Sequence, residues 1–223
     1  MVTDGAGSPR AGVYADYSND DMKVVRAYEQ NAAATLGRYN AQFQLYYTSG
    51  AVKDKNNPDL VKELVKIIEA TQPGVVLTHN LADKHDTHCA VALRTIQALR
   101  SIPAEKRPEK VYSMEVWRSL DWLCDEDKTL FDTSGDEFLQ QSLLGVYHSQ
   151  IAGGKRYDLA GMGRRKANAT YFASHSTDNM DAAEYALDIT KLINDESINP
   201  VEFINGYIAN FISDVNRRIE GLI

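Results

Sequence analysis

Cysteine is scarce in this sequence: Cys89 and Cys124 are its two among 223 residues. Two thiols cannot build a disulfide framework, so a reducing compartment, the cytoplasm, is the expected location. An excess of positive charge is lacking too, since 24 Lys and Arg stand against 31 Asp and Glu for a net charge of -7. No basic run is long enough to track a phosphate backbone, which argues against nucleic acid as a partner. Long hydrophobic runs are missing, and polar residues interrupt segments 111–117 and 204–212 well short of the roughly 20 that span a bilayer. No membrane span is expected. The first residues show no basic stretch followed by an apolar core, so no signal peptide is read there and export is not expected.

What is present suits a globular protein. Hydrophobic residues make up 43% of the chain, which at this length predicts one α/β domain over residues 1–223. Residues 1–20, rich in Gly, Asp, Ser and Pro, read as a loop. Met22, Val25, Ala32, Ala33 and Leu36 recur at helical spacing over 21–36, with Gly37 as the stop. Phe43, Leu45 and Tyr47 alternate with polar neighbours and predict a short strand over 43–47. Asn57 as cap and Pro58 as first residue open a second helix, whose Leu60, Leu64, Ile67 and Ile68 face a core until Pro73-Gly74. Residues 75–77 then read as a buried strand. Strand, helix, strand in that order predicts a right-handed crossover and a Rossmann-like, mostly parallel sheet with helices on both faces. Further on, residues 89–100 read as helix, 111–117 as extended and 136–150 as helix. Asn199-Pro200 opens a long amphipathic helix at about 199–222, carrying Val201, Ile204, Ile208, Phe211, Val215, Ile219 and Leu222. That helix could pack on its own domain or join two copies, which leaves a homo-oligomer open.

Chemistry concentrates in residues 79–88. This stretch, His79-Asn80-Leu81-Ala82-Asp83-Lys84-His85-Asp86-Thr87-His88, follows a strand directly, where open α/β sheets bind ligands. It holds three of the five histidines. His85 and His88 stand three apart at a helix start, so both can face one cavity. Imidazoles with carboxylate neighbours suit zinc. The plainer alternative is a solvated loop whose Asp and Thr cap the next helix.

At these residues the sequence resembles the PIG-L/LmbE-like family of zinc-dependent N-deacetylases, which act on N-acetylglucosaminyl lipids, thiol precursors and glycopeptides. Thr3-Asp4-Gly5 looks like the family's Thr-Asp-Gly, and Arg26-Ala27-Tyr28-Glu29 through Leu36-Gly37 looks like its Arg-x-x-Glu helix ending in Leu-Gly. Pro73, Val75-Val76-Leu77-Thr78-His79 and His85-Asp86-Thr87-His88 are similar to the Pro, the strand and the His-Pro-Asp-His motif that follow. The resemblance implies that His88 is a metal ligand, that His85 polarises the substrate carbonyl or steadies the oxyanion, and that Arg26 contacts substrate. Tyr147-His148-Ser149-Gln150 resembles a family His-x-Ser-Gln segment, which offers His148 as a pocket residue. The implied activity is removal of an N-acetyl group from an amino-sugar-type substrate, with one zinc ion. By the same route the implied partner is a small N-acetylated amino sugar or conjugate.

The family's amino-terminal His-Pro-Asp-Asp, source of two metal ligands and the general base, has no counterpart, and no His-Pro occurs anywhere. The family's first strand and helix also lack counterparts, so the expectation is an incomplete ligand set in a sequence recorded from partway through the fold. Asp83 and Asp86 could substitute as ligands or serve as outer partners of the histidines. Thr48-Ser49-Gly50 stands where the family has Asp-Ser-Gly or Asp-Gly. A degenerate, non-catalytic relative acting as a sugar-binding module is the competing reading. A nucleotide-binding protein using Gly5-Ala6-Gly7 is a third, weakened by Arg10 at the place of the last glycine. Gly153-Gly154-Lys155-Arg156 and Gly163-Arg164-Arg165-Lys166 are basic clusters of the kind that are usually solvated surface.

Overall fold

The computed structural model describes all 223 residues. Two compact units emerge: Met1–Ala51 with Asp132–Ala183, and Val52–Phe131 with Glu184–Ile223.

In the first unit, helix α1 spans Asn19–Leu36. It starts two residues before the periodicity suggests, because Ser18 and Asp21 form a reciprocal capping box that satisfies free N–H groups of the first turn. Gly37 ends the helix in a right-handed conformation, and Arg38 adopts the left-handed one. A Cβ at 37 would meet the half-exposed Tyr39 ring, which would have to swing aside. The strand expected over 43–47 is reduced to a single parallel bridge between Thr3 and Tyr47, supported by Leu45 N–H to Met1 O and Tyr47 N–H to Val2 O. A short helix, α2, follows at Ser49–Lys53.

The second unit holds α3 (Asp59–Thr71), strand β1 (Val75–His79), α4 (Asp86–Ser101) and β2 (Lys110–Met114). Asn57 caps α3 by accepting the Asp59 N–H, as its sequence predicts. Strand β1 pairs with β2 in parallel, from Val75 opposite Lys110 to His79 opposite Met114. Helix α4 is the crossover that this pairing needs. Its buried Ala90 and Ala98 lie on one side of the helix and Ala92, Ile96 and Leu99 on the other, so α4 is covered on two sides.

Beyond β2 come β3 (Thr129–Asp132), α5 (Glu137–Gly145), α6 (His148–Ala152), α7 (Tyr157–Tyr171), β4 (Ala183–Asp188), α8 (Thr190–Asn194) and α9 (Pro200–Glu220). The helix read over 136–150 is thus two helices, broken at Val146 and Tyr147. The sheet order is β1-β2-β4-β3. Strand β4 runs antiparallel to β2, with Ser113 opposite Leu187.

The sheet is therefore mixed, and the expectation of a mostly parallel one is corrected. That expectation counted 43–47 and 75–77 as successive sheet members, whereas the first pairs with residues 1–4. It also missed β4, whose Ala-Glu-Tyr-Ala-Leu-Asp has no β-branched residue to mark it as strand. Helix α9 opens as expected, with Asn199 accepting the Val201 N–H. No helix is long and apolar enough to cross a membrane.

Candidate metal centre

His79 closes β1, and the loop after it is tied to the sheet before it reaches α4. The Asn80 side chain, fully buried, donates to Ser113 Oγ at 2.9 Å and accepts the Ala82 N–H at 2.8 Å, which turns the chain away from the strand. Asp83 then closes a second turn by accepting the His85 N–H at 2.8 Å. The Cys89 thiol donates to Asp83 O at 3.1 Å and packs the loop onto α4. Both cysteines are free thiols, and burial raises the pKa of each.

These turns gather the imidazoles. The His79 and His88 rings stack with centroids 4.0 Å apart and planes 7° from parallel, and the His85 ring lies 4.6 Å from His88 on centroids. Asp83 Oδ2 stands 3.1 Å from His88 Nδ1. One donor atom from each of His79, Asp83 and His88 lies within 4.8 Å of the others. Two imidazoles and a carboxylate are donors of the type zinc takes, so the residues present fit a divalent ion chemically. Sequence reasoning left His79 without a role and Asp83 with two open ones, ligand or outer partner of the histidines. The available signal was that His79 ends a strand while Asp83 precedes His88 by five residues across a turn.

Burial, and then the neighbouring His88 ring, push His79 down to about 4 from its ordinary 6.5, with Asp83 opposing and His85 adding to the depression. The unfolded chain takes up a proton near 6.5 that the folded one refuses until about 4. Stability from this group is therefore complete above about pH 6.5 and declines as pH falls to about 4, by roughly 3 kcal/mol in all. Urea unfolding of chelator-treated protein at pH 7 and pH 4.5 should show this loss, and His79→Asn should reduce it. An unchanged pH dependence in the variant would contradict the assignment.

Arg26 and His148 lie in the first unit. Arg26 pairs with Glu29 one helical turn on, and its guanidinium stands 5.1 Å over the Tyr147 ring. Glu29 also accepts the Ser149 N–H at 2.6 Å and the Ser149 hydroxyl at 2.9 Å. The break between α5 and α6 is what turns that N–H towards Glu29. His148 Nδ1 lies 3.0 Å from the Tyr14 hydroxyl. Arg26 and the 147–149 segment, both drawn from the resemblance, are thus joined through Glu29, a residue whose own role had not been read.

Fold and cluster together define an α/β protein with a candidate divalent-metal centre at the carboxyl end of a strand. Residues 1–99 match the family model of PIG-L, GlcNAc-PI de-N-acetylase. That stretch contains Arg26, Glu29 and residues 79–88. No curated protein matches the sequence.

Among solved structures, the chain is similar to N,N'-diacetylchitobiose deacetylase from Pyrococcus horikoshii, at 15% identity over 87% of this chain and 73% of that one, TM-score 0.61. It is also similar to the conserved protein TT1542 from Thermus thermophilus, at 18% identity over 79% and 78% of the two chains, TM-score 0.59. A third likeness is to GalB, the 4-carboxy-2-hydroxymuconate hydratase of Pseudomonas putida, at 17% identity over 78% and 75%, TM-score 0.52. A deacetylase and a hydratase on one fold show that chemistry must be argued from the site.

Proposed function

We propose that the protein is a zinc-dependent hydrolase that removes an N-acetyl group from an amino-sugar-type substrate. The observation carrying this reading is the cluster of His79, Asp83 and His88, with the His85 ring stacked against it, inside the segment that matches the PIG-L model. The deacetylase likeness supports it at the level of fold.

In this reading His88 is a metal ligand, with Asp83 against its Nδ1 and the His79 ring stacked on its face. A bound zinc ion supplies Lewis acidity, polarising the amide carbonyl and making water nucleophilic near neutral pH. His85 is the catalytic residue. Its backbone is fixed by Asp83 and its ring is held against His88, so it can donate a hydrogen bond to the oxygen that gains charge as the amide is attacked. Arg26 and His148 are proposed to bind substrate. Arg26 brings a guanidinium already oriented by Glu29 and Tyr147, suited to a hydroxyl or an anionic group. His148 offers a ring nitrogen aligned by Tyr14.

An apolar cleft of about 570 Å³, lined in part by Leu81, Cys89, Leu93, Trp122 and Ile204, opens in the same unit as the histidines. Its lining has few partners for sugar hydroxyls, which favours the histidine cluster as the reacting site.

Acetate release from N-acetylglucosamine derivatives by the protein is the deciding assay. Release that depends on added zinc and stops with a chelator is expected. Sugar binding without release, in zinc-loaded protein, would overturn the hydrolase reading in favour of a binding module.

A further inference from the structure

The Asp83 side chain is wholly buried, and both of its oxygens are engaged. Oδ1 accepts the His85 backbone N–H and Oδ2 faces His88 Nδ1 at 3.1 Å. An ionised carboxylate can only accept, so the nitrogen facing it at that distance carries a proton. A neutral His88 protonated at Nδ1 has its lone pair on Nε2. The stacked His79 ring covers one face of His88 and resists rotation about χ2.

The same stacking bears on a three-donor chelate. Imidazole lone pairs lie in the ring plane, and planes 7° from parallel at 4.0 Å do not direct two of them to one point. The grouping of donors within 4.8 Å thus divides into residues that hold an ion and residues that hold one another.

We infer that Asp83 is a positioning residue: it locks His88 as the Nδ1–H tautomer, so that Nε2 is presented to a divalent cation, and it is not itself a ligand. The inference rests on the reading of His88 as a ligand. Histidines bound to metal commonly donate their other N–H to a carboxylate or carbonyl, which fixes the tautomer and raises basicity.

The test uses the full chain labelled with 15N, with long-range 1H–15N correlations of the histidine rings recorded near pH 8. In chelator-treated protein His88 is expected as the Nδ1–H tautomer. Added zinc should shift Nε2 and leave the Nδ1 proton in place. A dominant Nε2–H tautomer, or loss of the Nδ1 proton with zinc, would overturn the inference.

Asp83→Asn keeps an oxygen for the His85 N–H but turns an amide N–H₂ towards His88 Nδ1. The tautomer should reverse, and zinc affinity measured against a chelating dye should fall 10- to 100-fold, the usual range for such partners. An unchanged tautomer with unchanged affinity overturns the inference. If Asp83→Asn fails to fold, the two wild-type spectra decide alone. If zinc shifts no histidine in the wild type, the ligand reading of His88 fails with the inference, whereas a wrong tautomer with zinc bound defeats the role of Asp83 alone.

Discussion

Replacing His88 with alanine is expected to lower zinc affinity by roughly 100-fold or more, while His85→Ala leaves zinc bound and lowers turnover by about 10²–10³. The two rings lie 4.6 Å apart on centroids, so a general disturbance of the loop would affect both variants alike. Their proposed roles differ. His88 has Asp83 on Nδ1 and offers its remaining nitrogen as a ligand, whereas the His85 side chain makes no cap hydrogen bond at the start of α4. The His88 side chain is 27% exposed, which limits the cavity that truncation leaves. Metal content by elemental analysis, alongside acetate release, separates the outcomes. Equal loss of metal in both variants would show that the roles are misassigned.

Glu29→Ala is expected to destabilise the protein by about 3–5 kcal/mol, the range found when one partner of a buried ion pair is removed. Glu29 is 4% exposed and serves Arg26, the Ser149 N–H and the Ser149 hydroxyl at once. Alanine would leave a guanidinium that is itself largely buried without its counter-charge. It would also leave the Ser149 N–H, in the first turn of α6, without an acceptor. Glu29→Gln retains the shape and one acceptor oxygen, so about 1–3 kcal/mol is expected for it. Urea midpoints at constant slope measure both. A loss under about 1 kcal/mol for the alanine variant would mean that water replaces the carboxylate at Ser149 and Arg26.

The same region shows how far motif and structure agree. Arg26 and Glu29 are three positions apart, so on one helix their side chains meet, and that much follows from spacing. Their junction with Ser149, 120 positions away, does not. Gly5 is a further case. It has φ +77, and a Cβ there would stand 2.6 Å from Arg26 Cγ, so glycine is required both by the backbone and by the approach of the arginine proposed to bind substrate.

Local signals were legible where they are strong and continuous. The α3 and α9 helices open at Asn57-Pro58 and Asn199-Pro200 because capping and a fixed proline φ act within a few residues. The β1 strand was legible as a run of apolar residues starting at Val75, but the expectation that it is buried is corrected: Val75 and Leu77 are exposed, because β1 is the edge strand of the sheet. The strand over 43–47 was misread because alternation reports that a segment is half-buried and extended, while sheet membership depends on which backbone lies alongside. The β4 strand was invisible because Tyr185 is its single strand-favouring residue among Ala, Glu, Leu and Asp, and because it pairs only after a long excursion.

Residues 79–88 divide along the same line. The sequence by itself determined that three histidines and two aspartates gather at a strand end, and that His85 and His88 stand three apart where a helix begins, since both facts depend on spacing alone. Tertiary structure decided that Asn80 reaches Ser113 on the neighbouring strand, that the resulting turn buries Asp83, and that Asp83 meets His88 Nδ1 while His79 stacks on the same ring. The physical reason is that spacing fixes direction along one element. The protonation and orientation of an imidazole are fixed instead by whatever surrounds it, and here those groups come from the strand, the loop and the helix together.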